Sequence, residues 1–246
     1  MFPLKDNLRC LTFPTVTLSL IIVNILVFVL ELTHMSNGTF RQFVMDYALV
    51  PTHLLDAYSS GDPSAMGWTT FTIFSAMFMH GSIMHLLGNM LFLFVFGRAM
   101  EARMGWFGFL VFYLVSGIAA ALIHIGSDPS SFVPMLGASG AISGVLGGYL
   151  ILWPKADIKA FVPPVFIVTI RAYWFLAAWF GLQLLPIIQS SGGSPGGVAY
   201  WAHVGGFIAG FILAGGLRLI KPNSEVCYIP NDCDTDKDID EWKGRN

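Results

Sequence analysis

Charge is what this sequence has least of. Lys, Arg, Asp and Glu make up 11% of 246 residues, against 55% hydrophobic residues, and the mean hydropathy is +0.67. A chain of this size cannot hide so much apolar surface inside a globule, which excludes an ordinary water-soluble domain and points to a membrane protein. The net charge of −2 and the lack of a basic run interleaved with aromatics speak against a nucleic-acid partner. Cysteine is scarcer still. Cys10, Cys227 and Cys233 are odd in number and lie near the two ends, so no disulfide framework is expected and all three are read as free thiols. Metal signatures are missing too. There is no HExxH to offer zinc two imidazoles and a base on one helix face, and His80 and His85, about 500° of helical rotation apart, do not share a face well and make a poor metal pair. No pair of aspartates lies within an apolar run. The acidic stretch DCDTDKDIDE carries Ile239 where a calcium loop needs its turn glycine, so it reads as a solvated segment. Neither a metal nor a cofactor is expected.

Long uncharged runs are what the chain does have. Lys5 and Arg9 precede a stretch from Cys10 to Leu30. It is too long for a leader and is followed by no small-residue cleavage site, so it reads as a first transmembrane helix. A large polar loop at about 32–79 follows, within which FRQFVMDYALVPTHLLDA has the spacing of an interfacial helix. Further spans are predicted at His80–Met100, Gly105–Ile125, Met135–Pro154, Arg171–Ile188 and Val198–Leu217. Arg98, Glu101 and Arg103 occupy a tight turn between the second and third, and Pro186 weakens the fifth. The expected architecture is an all-α polytopic membrane protein, a six-transmembrane-helix bundle over 10–221. A short segment, 1–9, precedes it and an acidic polar tail, 222–246, follows. Nine Lys and Arg residues from Lys5 to Lys221 fall on one side and Arg41 alone on the other. The expectation is therefore a multi-pass protein of the cell membrane with both termini cytoplasmic. Helices two, four and six then start at the outer face.

The fourth span, MLGASGAISGVLGGYLILWP, organises the rest. Gly140, Gly144 and Gly148 recur every four residues and let neighbouring helices approach to backbone contact. Ser139 stands at its first turn. Counted back from the inner charges, His85, Ser139 and His203 lie 16, 16 and 15 residues above Glu101, Lys155 and Arg218, or about 22 to 24 Å at the helical rise. Taken singly, a serine bonded to the preceding turn or a histidine at an interface is the plainer reading. Three polar groups at one depth point instead to one cavity. Gly206 and Gly210 follow His203 on the same face, so its helix can press against the fourth.

Serine needs a base to take its proton, and histidine has a suitable pKa at neutral pH. No Asp or Glu falls inside any predicted span, so the pattern supports a Ser-His dyad rather than a triad. Unpaired N–H groups at the start of the fourth helix favour an oxyanion at Ser139, and His85 and Asn89, one turn apart, can add donors.

Gly137-Ala138-Ser139-Gly140, His80 and His85 with Asn89, and Ala202-His203 with Gly206 together resemble the rhomboid family of intramembrane serine proteases. The resemblance implies that Ser139 attacks a peptide bond in or near the membrane-spanning segment of a transmembrane protein substrate, with His203 as base. It implies an oxyanion hole of His85, Asn89 and the Ser139 N–H, a role for His80 in holding the first loop, and gating of lateral substrate access from membrane lipids by helix five and its loop SSGGSPGGVAY. Glu101, Arg103 and Gly105 match a turn motif assigned to structure. Two positions depart from the pattern. Some members stack a tyrosine on the histidine where this chain has Ser143, and a Trp-Arg pair of the first loop is Trp68-Thr69 here. A catalytically silent relative that binds membrane clients is the alternative, and it predicts missing dyad residues. A small transporter would need inverted repeats, and no convincing repeat is found.

Overall fold

The computed structural model describes residues 1–10, 12–164, 166–189, 198–220 and 227–228. The loop read as a gate (190–197), Cys233 and nearly all of the acidic tail lie outside the described residues.

The chain is mostly helical. α1 (Thr15–Ser36) is followed by three loop helices, α2 (Phe40–Tyr47), α3 (Pro51–Ser60) and α4 (Pro63–Ser75). The single interfacial helix expected at FRQFVMDYALVPTHLLDA is two. Pro51 takes the first position of α3, where its missing N–H costs nothing, and the extended residues before it pair Leu49 with Met135 across the molecule. α5 (Ile83–Ser127), α6 (Ser139–Leu152), α7 (Ala172–Gln189) and α8 (Tyr200–Ile220) complete the helices. Among the described residues α1, α5, α7 and α8 are long and apolar enough to cross a membrane, and α6 is a shorter apolar helix.

Gly105 breaks α5. Its φ of 75° and ψ of 163° belong to a backbone state that side chains disfavour, and there the chain turns back on itself. The neighbours of α6 show the reversal. Met100 and Phe112 meet Gly148, Ser116 meets Gly144, and Ala120 meets Gly140, while His85 reaches Gly137. The arms 83–104 and 106–127 thus flank α6 in opposite directions.

α6 is the centre of the molecule, with every residue from Gly140 to Tyr149 buried. Its tightest partner is α8. A Cβ on Gly206 would overlap the carbonyl of Gly140, and one on Gly210 the carbonyl of Gly144. The four-residue spacing therefore brings backbone against backbone, without a side chain between the two rods.

Two expectations are corrected here. The fold is not all-α. β1 (Phe2–Asp6), β3 (Asp157–Val162) and β4 (Phe166–Arg171) form an antiparallel sheet in the order β1-β3-β4. The short strands β2 (Arg9–Cys10) and β5 (Cys227–Tyr228) form a second pairing that sets Cys10 opposite Cys227. Cys10 is disulfide-bonded, so it is not the free thiol expected. An odd count in sequence says nothing about which thiols a strand ladder brings near each other.

The first sheet closes the end of the bundle opposite Ser139. Asp6 on β1 is buried and accepts hydrogen bonds from Arg98 of α5 and, at 2.8 Å, from the Tyr149 hydroxyl of α6. Arg171 pairs with Asp157 at 3.0 Å, and Arg218 donates to the Ile151 carbonyl. Most of the basic residues counted along the chain thus gather at one end.

The acid-free spans also need correction, because α1 and α5 run further than the apolar count suggests. Glu31 and Glu101 lie within helices, and both are buried. Glu101 caps α1, whose start has no side-chain cap of its own. Its carboxylate accepts from Val16 N (2.8 Å), Thr17 N (2.7 Å) and the Thr17 hydroxyl (2.8 Å). A carboxylate at a helix N-terminus satisfies orphan donors and meets the positive end of the dipole. Glu101→Ala strands three donors and should destabilise the protein by about 2 to 4 kcal/mol, with Glu101→Gln intermediate. Thermal melting in detergent reads this, and an unchanged melting temperature for the alanine variant would refute the capping role.

Candidate active site

Ser139 opens α6, whose first turn has no side-chain cap. The residues before it are pinned from the large loop. Leu49 and Met135 exchange backbone hydrogen bonds at 2.8 and 3.1 Å, and Gly137 N donates to the Ala76 carbonyl at 2.8 Å. Gly137 is required twice over. Its φ is 126°, and a Cβ there would lie 2.7 Å from His85 Cε1. The uncapped N–H groups of α6 are thereby held at a cleft of about 570 Å³ lined by Ser139, His203, His85 and Asn89 among others.

The structure brings the two halves of the expected dyad together. Ser139 Oγ lies 2.7 Å from His203 Nε2. On its other side the ring meets a residue that the sequence reading passed over: His203 Nδ1 is 2.8 Å from Gln183 Oε1 on α7. Trp179 and Tyr200 flank the imidazole with ring centroids 6.1 and 6.3 Å away. The signal for Gln183 was available. It lies 12 residues after Arg171, about 18 Å along an otherwise apolar helix, and a polar side chain at that depth marks a cavity.

Ser143 lies one turn below Ser139. Its hydroxyl donates to the Ser139 carbonyl at 2.6 Å, the ordinary use of serine in a buried helix. It leaves the imidazole to Gln183.

His85 and Asn89 line the cleft from α5, whose N-terminus is capped by Ser82. Asn89 is buried, and its Nδ2 lies 2.9 Å from His80 Nε2. An amide nitrogen carries two hydrogens, so this bond fixes the Asn89 side chain and leaves one N–H for the cleft. His80 is fully buried. Its backbone N–H donates to both oxygens of Glu31, at 2.9 and 3.0 Å, and its ring meets His85 edge-on with centroids 5.1 Å apart. Glu31 on α1, His80 and Asn89 therefore form one buried chain of contacts ending at the cleft. Gly140 and Gly206 lie just below, at the backbone contact of α6 with α8. The loop tryptophan keeps an anchor despite its altered neighbour: Trp68 Nε1 donates to the Asp46 carbonyl at 3.1 Å, and Thr69 turns back to its own helix.

This arrangement can move a proton from a hydroxyl to an imidazole beside several N–H donors. Among the described residues no three His, Cys, Asp or Glu side chains converge as metal ligands.

Comparison with known proteins gives one consistent result. The family model for the rhomboid domain matches residues 67–219. Rhomboid protease AarA of Providencia stuartii is 29% identical over 244 residues, covering 93% of this chain and 82% of its own length. RHOMBOID-like protein 4 of Arabidopsis thaliana is 35% identical over 161 residues, 64% of this chain and 35% of its own. Rhomboid protein 1, mitochondrial, of Saccharomyces cerevisiae is 38% identical over 98 residues, 38% of this chain and 28% of its own. The chain spans about a third to a half of the length of the plant relatives RHOMBOID-like protein 4 and RHOMBOID-like protein 5.

Proposed function

This chain belongs to the rhomboid family, and from that premise we propose that it is an intramembrane serine endopeptidase acting on transmembrane proteins. The observation that carries the reading is the 2.7 Å contact of Ser139 Oγ with His203 Nε2. Ser139 gives its proton to Nε2 as Oγ attacks the scissile carbonyl. The oxyanion is held by the Ser139 N–H, His85 and Asn89. The imidazolium then returns the proton to the leaving amine, and water attacks the acyl-enzyme with His203 again as base. No cofactor enters this sequence. Both dyad residues are present and in contact, which favours an enzyme over a silent client-binding relative.

In this reading six rods cross the membrane: α1, the two arms of α5, α6, α7 and α8. The protease domain covers 10–221. The end that gathers Lys5, Arg98, Lys159, Arg171 and Arg218 faces the cytoplasm, and Ser139 opens toward the outer side. Charge carries that orientation. The disulfide at Cys10 pulls the other way, because thiols facing a reducing compartment stay reduced.

One experiment tests both parts. A membrane-impermeant fluorophosphonate added outside intact spheroplasts should modify Ser139, and His203→Ala should prevent the reaction. Labelling only after permeabilisation would reverse the orientation. No labelling of the folded protein under either condition would overturn the nucleophile.

A further inference from the structure

We propose that Gln183 is the positioning residue for the base: its amide oxygen holds the proton of His203 on Nδ1 and keeps Nε2 turned to Ser139. The inference rests on the dyad reading above and adds a third member, carried by a third helix.

Three observations support it. First, the amide is oriented by bonds at both ends. Its Nε2 donates to the Trp179 carbonyl one turn back at 3.3 Å, which turns Oε1 to His203 Nδ1 at 2.8 Å. An amide oxygen only accepts, so Nδ1 carries the hydrogen. Nε2 is then the lone-pair nitrogen, as a base facing the Ser139 hydroxyl at 2.7 Å must be. Second, no rival acceptor for Nδ1 is found among the described residues around the ring. Ser143 is committed to the Ser139 carbonyl, and Trp179 and Tyr200 confine the ring from its sides. Trp179 offers no acceptor nitrogen. Third, the buried acid nearest in role, Glu31, spends both oxygens on the His80 backbone N–H.

A neutral acceptor differs from a carboxylate in one respect. It selects the tautomer and the ring rotation but adds no charge to steady the imidazolium. It also ties the base to α7. Hydroxyl, imidazole and amide sit on α6, α8 and α7, so the base is aligned only while all three helices are in place.

The test uses the purified full chain, a single-span model substrate and two variants. Gln183→Met keeps length and removes the acceptor. It should lower kcat at least about tenfold with KM within about twofold, because a mis-set tautomer harms the transition state and not substrate binding. Gln183→Glu restores an acceptor and adds charge. It should keep kcat within about threefold at its own optimum and move the acid limb of kcat/KM about one pH unit or more upward, since a carboxylate beside the ring favours imidazolium. A Met variant with wild-type kcat, while Ser139→Ala is inactive, would overturn the role of Gln183 and leave the dyad standing. Equal losses in Met and Glu variants would assign Gln183 to packing. Cleavage retained by Ser139→Ala would remove the dyad reading itself.

Discussion

Ser139→Ala should lower cleavage of a single-span membrane substrate by roughly 10⁴-fold or more while leaving the fold intact. The size of the loss follows from what is removed. Oγ is the group placed 2.7 Å from a ring that is itself held by Gln183, and the uncapped start of α6 can stabilise an oxyanion but cannot replace a nucleophile. The fold should survive because the serine hydroxyl lines the cleft, where water can take its place beside Nε2. His203→Ala should be nearly as damaging, and the double variant no worse than either single one, because groups that act as a unit lose their effect together. Cleavage kinetics beside thermal melting check all of this. Residual activity above about a hundredth of wild type in Ser139→Ala, from protein free of contaminating protease, would be incompatible with the proposed mechanism.

Gly210→Val should be the most damaging change to the fold. Gly210 lies on α8 at a point where even a Cβ would overlap the Gly144 carbonyl, a backbone atom that cannot rotate away. The helices must separate, and they are the two that carry Ser139 and His203. Overpacking of a tight core costs about 3 kcal/mol at the upper end of its usual range, and a β-branched side chain exceeds a single methyl. A fall of roughly 6 to 12 °C in melting temperature is expected even at that value, together with loss of cleavage. Gly215→Ala supplies the control on the same helix. Nothing lies within 4 Å of its Cβ position, so the substitution should be neutral or stabilising by up to about 1 kcal/mol. Equal melting temperatures for the Gly210 variant and wild type would refute the close contact.

The sequence showed most clearly what depends on periodicity and depth. Gly140, Gly144 and Gly148 announced a central helix, and counting residues from the inner charges put Ser139, His85 and His203 on one level. The same count applied to helix five puts Gln183 near them, but Gln183 is neutral and carries no charge to mark it in an apolar run. The sheet was hidden for a different reason. FIVTIR has the β-branched, alternating character of a strand, yet its role depends on β3 pairing with β1 about 150 residues earlier, and no local pattern reports a contact that distant. Helix ends were misjudged where charge was taken as a stop. Glu31 and Glu101 continue their helices because each finds buried donors, which the chain brings from elsewhere.

The length of α6 has a consequence of its own. Fourteen residues rise about 21 Å, against a hydrocarbon slab of about 30 Å. Its far end is fixed beside the charged cluster of Asp6, Arg98 and Arg218, so in the proposed orientation the shortfall falls above Ser139. A rod that stops short in this way would leave the cleft over Ser139 within reach of bulk solvent. In the proposed mechanism, the water that hydrolyses the acyl-enzyme then descends from the exterior and never has to cross oil.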